Sequence, residues 1–350
     1  MQSTNDSSSL TFQSGAYERV RDPILPVPVF GFTAVFLGTG SLLNIISWYG
    51  LYRIQLQSLV SRILLYNECI FDFLVCLTSL IALRPFHRDP RNVIIGELLC
   101  YIGRNTGLTT FTRMLMNFNI VCVSLDRFWA IVYCKTYKEK KKTYLFICYL
   151  VIFLFATLIT IPTFLQVDFI DNTCVVVLDH VFVHLPMIVN VLLAYALPVT
   201  VILITSALTL RALRRQRLPG FNTSSNISDR NSLEGISSLD VIHSALSAST
   251  TGFCTIMILL ALLGAVMSVL YELSLIDFRF DSIARAYFIA VCGLVSSSIP
   301  VIQIRTIPPL RRWYLNRLKA IRLACGRLLD RIQVQCCSTH DQELATSTSH

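Results

Sequence analysis

The sequence predicts an all-α membrane protein: a seven-transmembrane helix bundle, N-terminus outside, with a short amphipathic C-terminal surface helix. Three observations carry that expectation. The 350 residues are 54% hydrophobic and only 15% charged, where soluble domains hold about 25% charged residues. The mean hydropathy is +0.60. Apolar runs of about 20 residues, long enough to cross a bilayer, recur along the chain. The net charge of +9 would suggest nucleic acid in a soluble protein. In a membrane protein, basic loops orient the helices instead, so no nucleic-acid partner is expected.

Each element follows in order. Residues 1–27 are expected to form an outer segment, Ser/Thr-rich from Met1 to Gly15. It lacks a basic n-region and an apolar h-region, so the first apolar run is expected to insert as its own anchor. Seven spans are expected at 28–52, 62–83, 98–133, 144–165, 185–210, 245–273 and 283–304. The third is the weakest by hydropathy, because it carries Arg104 and Arg113. Residues 219–240, rich in Ser, Asn and Gly, read as a flexible loop. Over 309–324, Leu310, Trp313, Tyr314, Leu318 and Ile321 fall at helical spacing with arginines between them. That pattern predicts a helix lying on the inner membrane surface, in contact with lipid. Residues 325–350 are a cytoplasmic tail, whose Cys325, Cys336 and Cys337 are either palmitoylated or free.

The lysines orient the bundle. Of six, Lys135, Lys138, Lys140, Lys141 and Lys142 follow span three and Lys319 follows span seven. Arg211, Arg214, Arg215 and Arg217 follow span five, while the loop after span four is acidic (Asp168, Asp171, Asp179). Positive residues stay cytoplasmic, so the N-terminus is outside and the C-terminus inside. Arg84, Arg88 and Arg91 after span two break the pattern, one loop against three. Among the twelve cysteines there is no CxxC pair, which argues against a zinc site or a thioredoxin-like site.

Span three closes on Asp126-Arg127-Phe128, an acid and an arginine at a membrane edge. Charges at that depth are costly and are retained for function, usually as pairs. Gly40-Ser41-Leu42-Leu43-Asn44, Asn67-Glu68-Cys69-Ile70-Phe71-Asp72 and Tyr195-Ala196-Leu197-Pro198 are further marks, and Asn44 and Asp72 stand 28 residues apart. Together with seven spans these motifs resemble the rhodopsin-like G-protein-coupled receptors, over about residues 28 to 325. There are departures. Span six has no Cys-Trp-x-Pro, span seven reads Ile299-Pro300-Val301-Ile302-Gln303 in place of Asn-Pro-x-x-Tyr, and Ser206 stands where span five usually has Tyr.

The resemblance implies a cell-membrane receptor with an extracellular ligand, a heterotrimeric G-protein partner and no catalytic residues. It implies that Arg127 pairs with Asp126 at rest and turns to the G protein on activation, with Phe128 and Pro300 part of the same switch. A plain interfacial arginine is the blander reading of Arg127, and Asp240 is a second candidate partner for it. The resemblance also implies a Cys100–Cys174 disulfide and a sodium pocket of Asp72, Asn44, Ser296 and Ser297. Sodium is the one cofactor considered. Met116 replaces a family ligand there, with Asn117 or Asn119 as substitutes, and a protonated structural Asp72 is the alternative.

Glu68 lies one turn from Asp72, which suggests a cation site or a proton-coupled pair; a water-facing Glu68 is the alternative. Arg113 lies 14 residues before Arg127, at the depth of the family's ligand cavity, where a guanidinium suits a carboxylate or phosphate. A salt bridge to Glu97 or Glu272 is its competing reading. Thr109 occupies the place of the amine-binding acid of aminergic receptors, which disfavours amines, and span seven lacks the lysine of a retinal Schiff base. A peptide is the first expectation for the ligand, then a small acid or lipid. Asn5-Asp6-Ser7 is an outer glycosylation sequon. A chemosensory receptor of this fold, or a transporter or channel, is the alternative function, though no repeated halves support transport. No HExxH or GxSxG cluster supports a membrane enzyme.

Overall fold

A computed structural model describes residues 17–19, 25–54, 58–83, 93–104, 106–165, 167–170, 173–177, 191–217, 230–279 and 282–325. Among these, seven helical segments are long and apolar enough to cross a membrane. Spans one and two are Val27–Arg53 and Leu59–Ala82; span four is Lys141–Phe164 and span seven is Ile283–Thr306.

The other three depart from simple rods. Span three opens as Val93–Leu99, loosens into a π-turn over Cys100–Arg104, and resumes as Gly107–Val132. Thr106 sits at the junction with φ 57°, a left-handed conformation that a β-branched residue adopts only under constraint. Span five opens with a π-turn over Val191–Ala196 before Leu197–Arg217. Span six belongs to one helix, Arg230–Glu272. The expected flexible loop over 219–240 is therefore helical from Arg230 onward, with 218–229 outside the described residues. A nucleated helix propagates cheaply, so a long apolar segment can extend into a polar flank. Beyond span seven the chain is again helical over 308–325.

Local chemistry sets the helix ends. Pro28 stands in the first turn of span one, where a missing N–H costs nothing. Ser58 caps span two by accepting from the Ser61 N–H at 3.4 Å. Ser282 caps span seven by accepting from the Arg285 N–H at 3.2 Å.

Packing is reversed relative to a soluble protein. On span one, Thr33, Leu37, Gly40, Asn44, Ser47 and Leu51 form a buried stripe at helical spacing, while Val35, Phe36, Leu42 and Ile45 are exposed. Span three has 67% of its apolar window buried against 22% for span one, which makes it the axis of the bundle. It packs on spans two, four and five. A Cβ on Gly40 would run into Ser297, so glycine lets spans one and seven approach closely. A Cβ on Gly50 would lie 2.8 Å from Leu310 Cδ1 and 2.9 Å from Trp313 Cζ3, so the helix over 308–325 tucks against span one. Tyr49 meets the Trp313 ring edge-on at 5.9 Å.

A small sheet, not anticipated from sequence, gathers near the start of span three. Its strands are β1 (Tyr17–Arg19), β2 (Val167–Ile170) and β3 (Thr173–Val177), in the order β1-β3-β2, all antiparallel. Cys174 of β3 forms a disulfide with Cys100, with Cα atoms 5.5 Å apart. The segment before span one is thereby joined to the hairpin between spans four and five.

Candidate functional site

At the far end of span three from the sheet, Asp126 and Arg127 are both buried, with Arg127 Nη2 3.8 Å from Asp126 Oδ2. The carboxylate accepts two further bonds. Ser61 Oγ donates to Oδ2 at 2.7 Å and Tyr137 Oη donates to Oδ1 at 2.7 Å. Tyr137 belongs to a short helix, Cys134–Glu139, beyond span three, and its hydroxyl also meets Ser58 Oγ at 2.7 Å. Burial, and next the Asp126 charge, push the Tyr137 phenol up to about 12, so it stays protonated and can donate. Trp129 packs edge-on against the rings of Tyr137 and Tyr144. Phe128 lies beside Tyr133, with ring centroids 6.1 Å apart. The Asp240 side chain lies outside the described residues.

Among the described residues the Arg127 guanidinium has only the one carboxylate, and its Nε has no hydrogen-bond partner. Asp126, by contrast, is held from spans two and three and from the connecting helix. The anchored member of the pair is the acid and the freer member is the arginine. The interfacial, water-facing reading of Arg127 does not fit a side chain 8% exposed.

Midway along the bundle, Asp72 is fully buried, and neither of its oxygens has a hydrogen-bond partner among the described residues. Ser296 faces it, but the Ser296 hydroxyl donates to the Met116 sulfur at 3.3 Å. Asn44 donates to the Gly40 and Ser296 carbonyls at 3.1 and 3.4 Å, leaving its Oδ1 free as an acceptor. Asp72, Ser296 and Asn44 thus offer oxygens that fit a hard cation. The hydroxyl of Ser297 is turned to the Gly293 carbonyl at 2.9 Å and to Cys76 at 3.5 Å.

One turn away, Glu68 is buried and bonded to Asn119 Nδ2, which also donates to the Leu64 carbonyl at 3.1 Å. The water-facing alternative for Glu68 is therefore excluded, and Asn119 serves Glu68. Gln303, in the place of the family's Tyr, is fully buried and accepts from the Cys69 thiol at 3.3 Å. Pro300 lies one turn before it, buried within span seven.

Toward the sheet end of the bundle, a cleft is lined by Val75, Thr109, Arg113, Arg285, Phe288 and Cys292, among others. Arg113 is 5% exposed. Its guanidinium lies over the rings of Phe288 and Tyr195, 5.0 and 5.5 Å from the centroids, and Nη1 donates to the Cys292 sulfur at 4.0 Å. No carboxylate among the described residues lies at ion-pair distance from it, so the competing salt bridge to Glu97 or Glu272 is not formed here. Arg285, half-buried, shares the cleft and lies over the Phe278 ring at 5.2 Å. Thr109 spends its hydroxyl on the Thr78 carbonyl at 3.2 Å.

Sequence reading missed Arg285, Tyr137 and Ser61. Arg285 had a signal, since it is a charge inside an expected span. Tyr137 and Ser61 had none, because each acts only through Asp126 across a fold contact. Asn5 lies outside the described residues.

A buried acid–arginine pair thus lies at one end of seven apolar helices, and a cleft holding two arginines lies toward the other. The profile of the seven-transmembrane receptors of the rhodopsin family matches residues 45–299. The chain belongs to that family, a family of multi-pass cell-membrane receptors rather than enzymes. Among individual proteins it is similar to the envelope protein US28 of human cytomegalovirus (strain Merlin), 39% identical over 83 residues. That match covers 23% of this chain and 23% of the viral protein. The G-protein coupled receptor homolog US28 of strains AD169 and Towne gives the same identity over the same coverage.

Proposed function

We propose that this protein is a cell-surface receptor, N-terminus outside, that binds an extracellular ligand among its helices and activates a heterotrimeric G protein through Arg127. The observation that carries the reading is the asymmetry of the Asp126–Arg127 pair. Three side chains address the acid, while among the described residues the arginine is held by that acid alone. Such a pair is a two-state element. Ligand binding that favours the opened state frees Arg127 to meet the G protein, with Phe128 and the basic segment after span three beside it. Pro300, inside span seven, removes a helix hydrogen bond and gives that span a place to bend in the same step. The helix over 308–325 rests its Leu315, Leu318 and Ile321 face on lipid, with its arginines at the headgroups.

Asp72, with Asn44 and Ser296, would hold a sodium ion, which supplies a positive charge against an otherwise unpaired buried carboxylate. The peptide expectation rests on excluding amines and retinal and on the acidic second outer loop. The cleft itself favours an anionic group.

The test is nucleotide exchange on purified heterotrimeric G proteins by the receptor in lipid nanodiscs. Arg127→Ala is expected to abolish exchange while leaving the amount of protein at the cell surface unchanged. Exchange at the wild-type rate in that variant would overturn the role given to Arg127.

A further inference from the structure

We propose that the cleft between spans two, three and seven binds a small organic oxyanion, a carboxylate or phosphate head on a compact apolar body, clamped by Arg113 and Arg285 together. This rests on the receptor reading above and names the chemistry of its ligand.

Two guanidiniums line one cleft. They are close enough for Arg285 to sense the charge of Arg113. Like charges held in a low-dielectric interior repel, and the repulsion grows as water leaves. A cluster of this kind ordinarily keeps a carboxylate between its members, yet among the described residues none lies at ion-pair distance from either. Aromatic faces hold them instead. Phe288 and Tyr195 carry Arg113, and Phe278 carries Arg285. Cation–π contacts fix a guanidinium in place without neutralising it. The N–H fork of each arginine therefore keeps donors for an acceptor from outside, and a guanidinium matches a carboxylate or phosphate edge with paired bonds.

The helix adds to this. Arg285 is the third residue of span seven, and the cleft sits against the positive end of that 24-residue helix.

The lining narrows the class. Val75, Phe288 and Ile289 give it apolar walls, which suit a short hydrocarbon or aromatic body beneath the acidic head. A cationic ligand would meet two positive charges and no counter-charge among the described lining residues. The same head could come from a free acid or from a lipid.

The experiment uses the full chain in nanodiscs of phosphatidylcholine. The probes are benzoate and octanoate, each beside its neutral amide, then inorganic phosphate and an oleoyl lysophosphatidate. Thermal unfolding is followed against probe concentration. At least one acid is expected to raise the transition temperature saturably while its amide does not. Arg285→Gln, at the less buried of the two arginines, is expected to raise the half-saturating concentration by about tenfold or more. Arg285→Lys is expected to fall between. Response to octanoate or benzoate identifies a free acid as the source, and response to lysophosphatidate alone identifies a lipid. Equal stabilisation by acid and amide, an Arg285→Gln midpoint equal to wild type, or no response to any probe would each overturn the proposal. Saturable acid binding without G-protein exchange would sink the coupling reading and leave this one standing. Exchange driven by a cationic ligand that acids do not displace would do the reverse.

Discussion

Removing one oxygen at Tyr137 isolates the hold on Asp126. In Tyr137→Phe the ring remains, so the edge contact with Trp129 at 5.8 Å is kept. The 2.7 Å bond to Asp126 Oδ1 is lost, together with the link to Ser58. A hydrogen bond to a charged group contributes about 1.5–3 kcal/mol. Ser61 still serves Oδ2, so the lower half of that range applies. Each 1.4 kcal/mol is about a factor of ten, and the resting-to-active ratio should fall by about ten- to thirtyfold. The assay is G-protein nucleotide exchange without ligand, normalised to receptor at the cell surface. With the resting state dominant, basal exchange should rise by up to the same factor, and Arg127→Ala combined with Tyr137→Phe should be silent. A wild-type basal rate in Tyr137→Phe, with its transition temperature also unchanged, would show that the hydroxyl does not hold the resting state.

Three further outcomes follow from named contacts. The Tyr137 phenol stands at about 12 against an ordinary value of 10.0. Its contribution to stability is therefore complete below about pH 10 and is lost as the pH rises toward 12; thermal scans across that window should show a loss that Tyr137→Phe reduces. Gly50→Val should drive a side chain into Leu310 and Trp313, where overpacking costs about 1–3 kcal/mol; unfolding and Trp313 fluorescence should report displacement of the 308–325 helix, and an unchanged spectrum would contradict the packing. Sodium should raise the transition temperature of the wild type but not of Asp72→Asn, and an equal sodium effect in both would remove Asp72 as the ligand.

The fold was legible because membrane burial is a composition signal. Apolar length gives the spans, and Asn44, Asp72 and Asp126-Arg127 give their family. The irregularities were not legible. Nothing in the sequence near Thr106 marks a left-handed residue, since that conformation is imposed where span three restarts against Phe164. The helix from Arg230 hides in Ser- and Asn-rich sequence, because propagation from an apolar helix overrides local propensity. At the site, Arg113 was found because a charge in a span is conspicuous. Ser61 was not, because serine is unremarkable until the fold sets it 2.7 Å from a buried carboxylate. Asn119, offered with Asn117 as a substitute ligand at Asp72, gives its amide N–H groups to Glu68 and the Leu64 carbonyl, contacts that sequence alone does not place.

The three-stranded sheet carries a mechanical consequence. Pulling on the chain ahead of span one loads β1, which passes the load sideways through backbone bonds to β3. From Cys174 the load crosses a covalent bridge to Cys100 on span three. Force therefore reaches the axis of the bundle without first travelling down span one. The three-residue register of Tyr17–Arg19 against Val175–Val177 is the fuse in that line. Being so short, it would shear first, uncoupling a tug on the N-terminal segment from the helix that ends at Arg127.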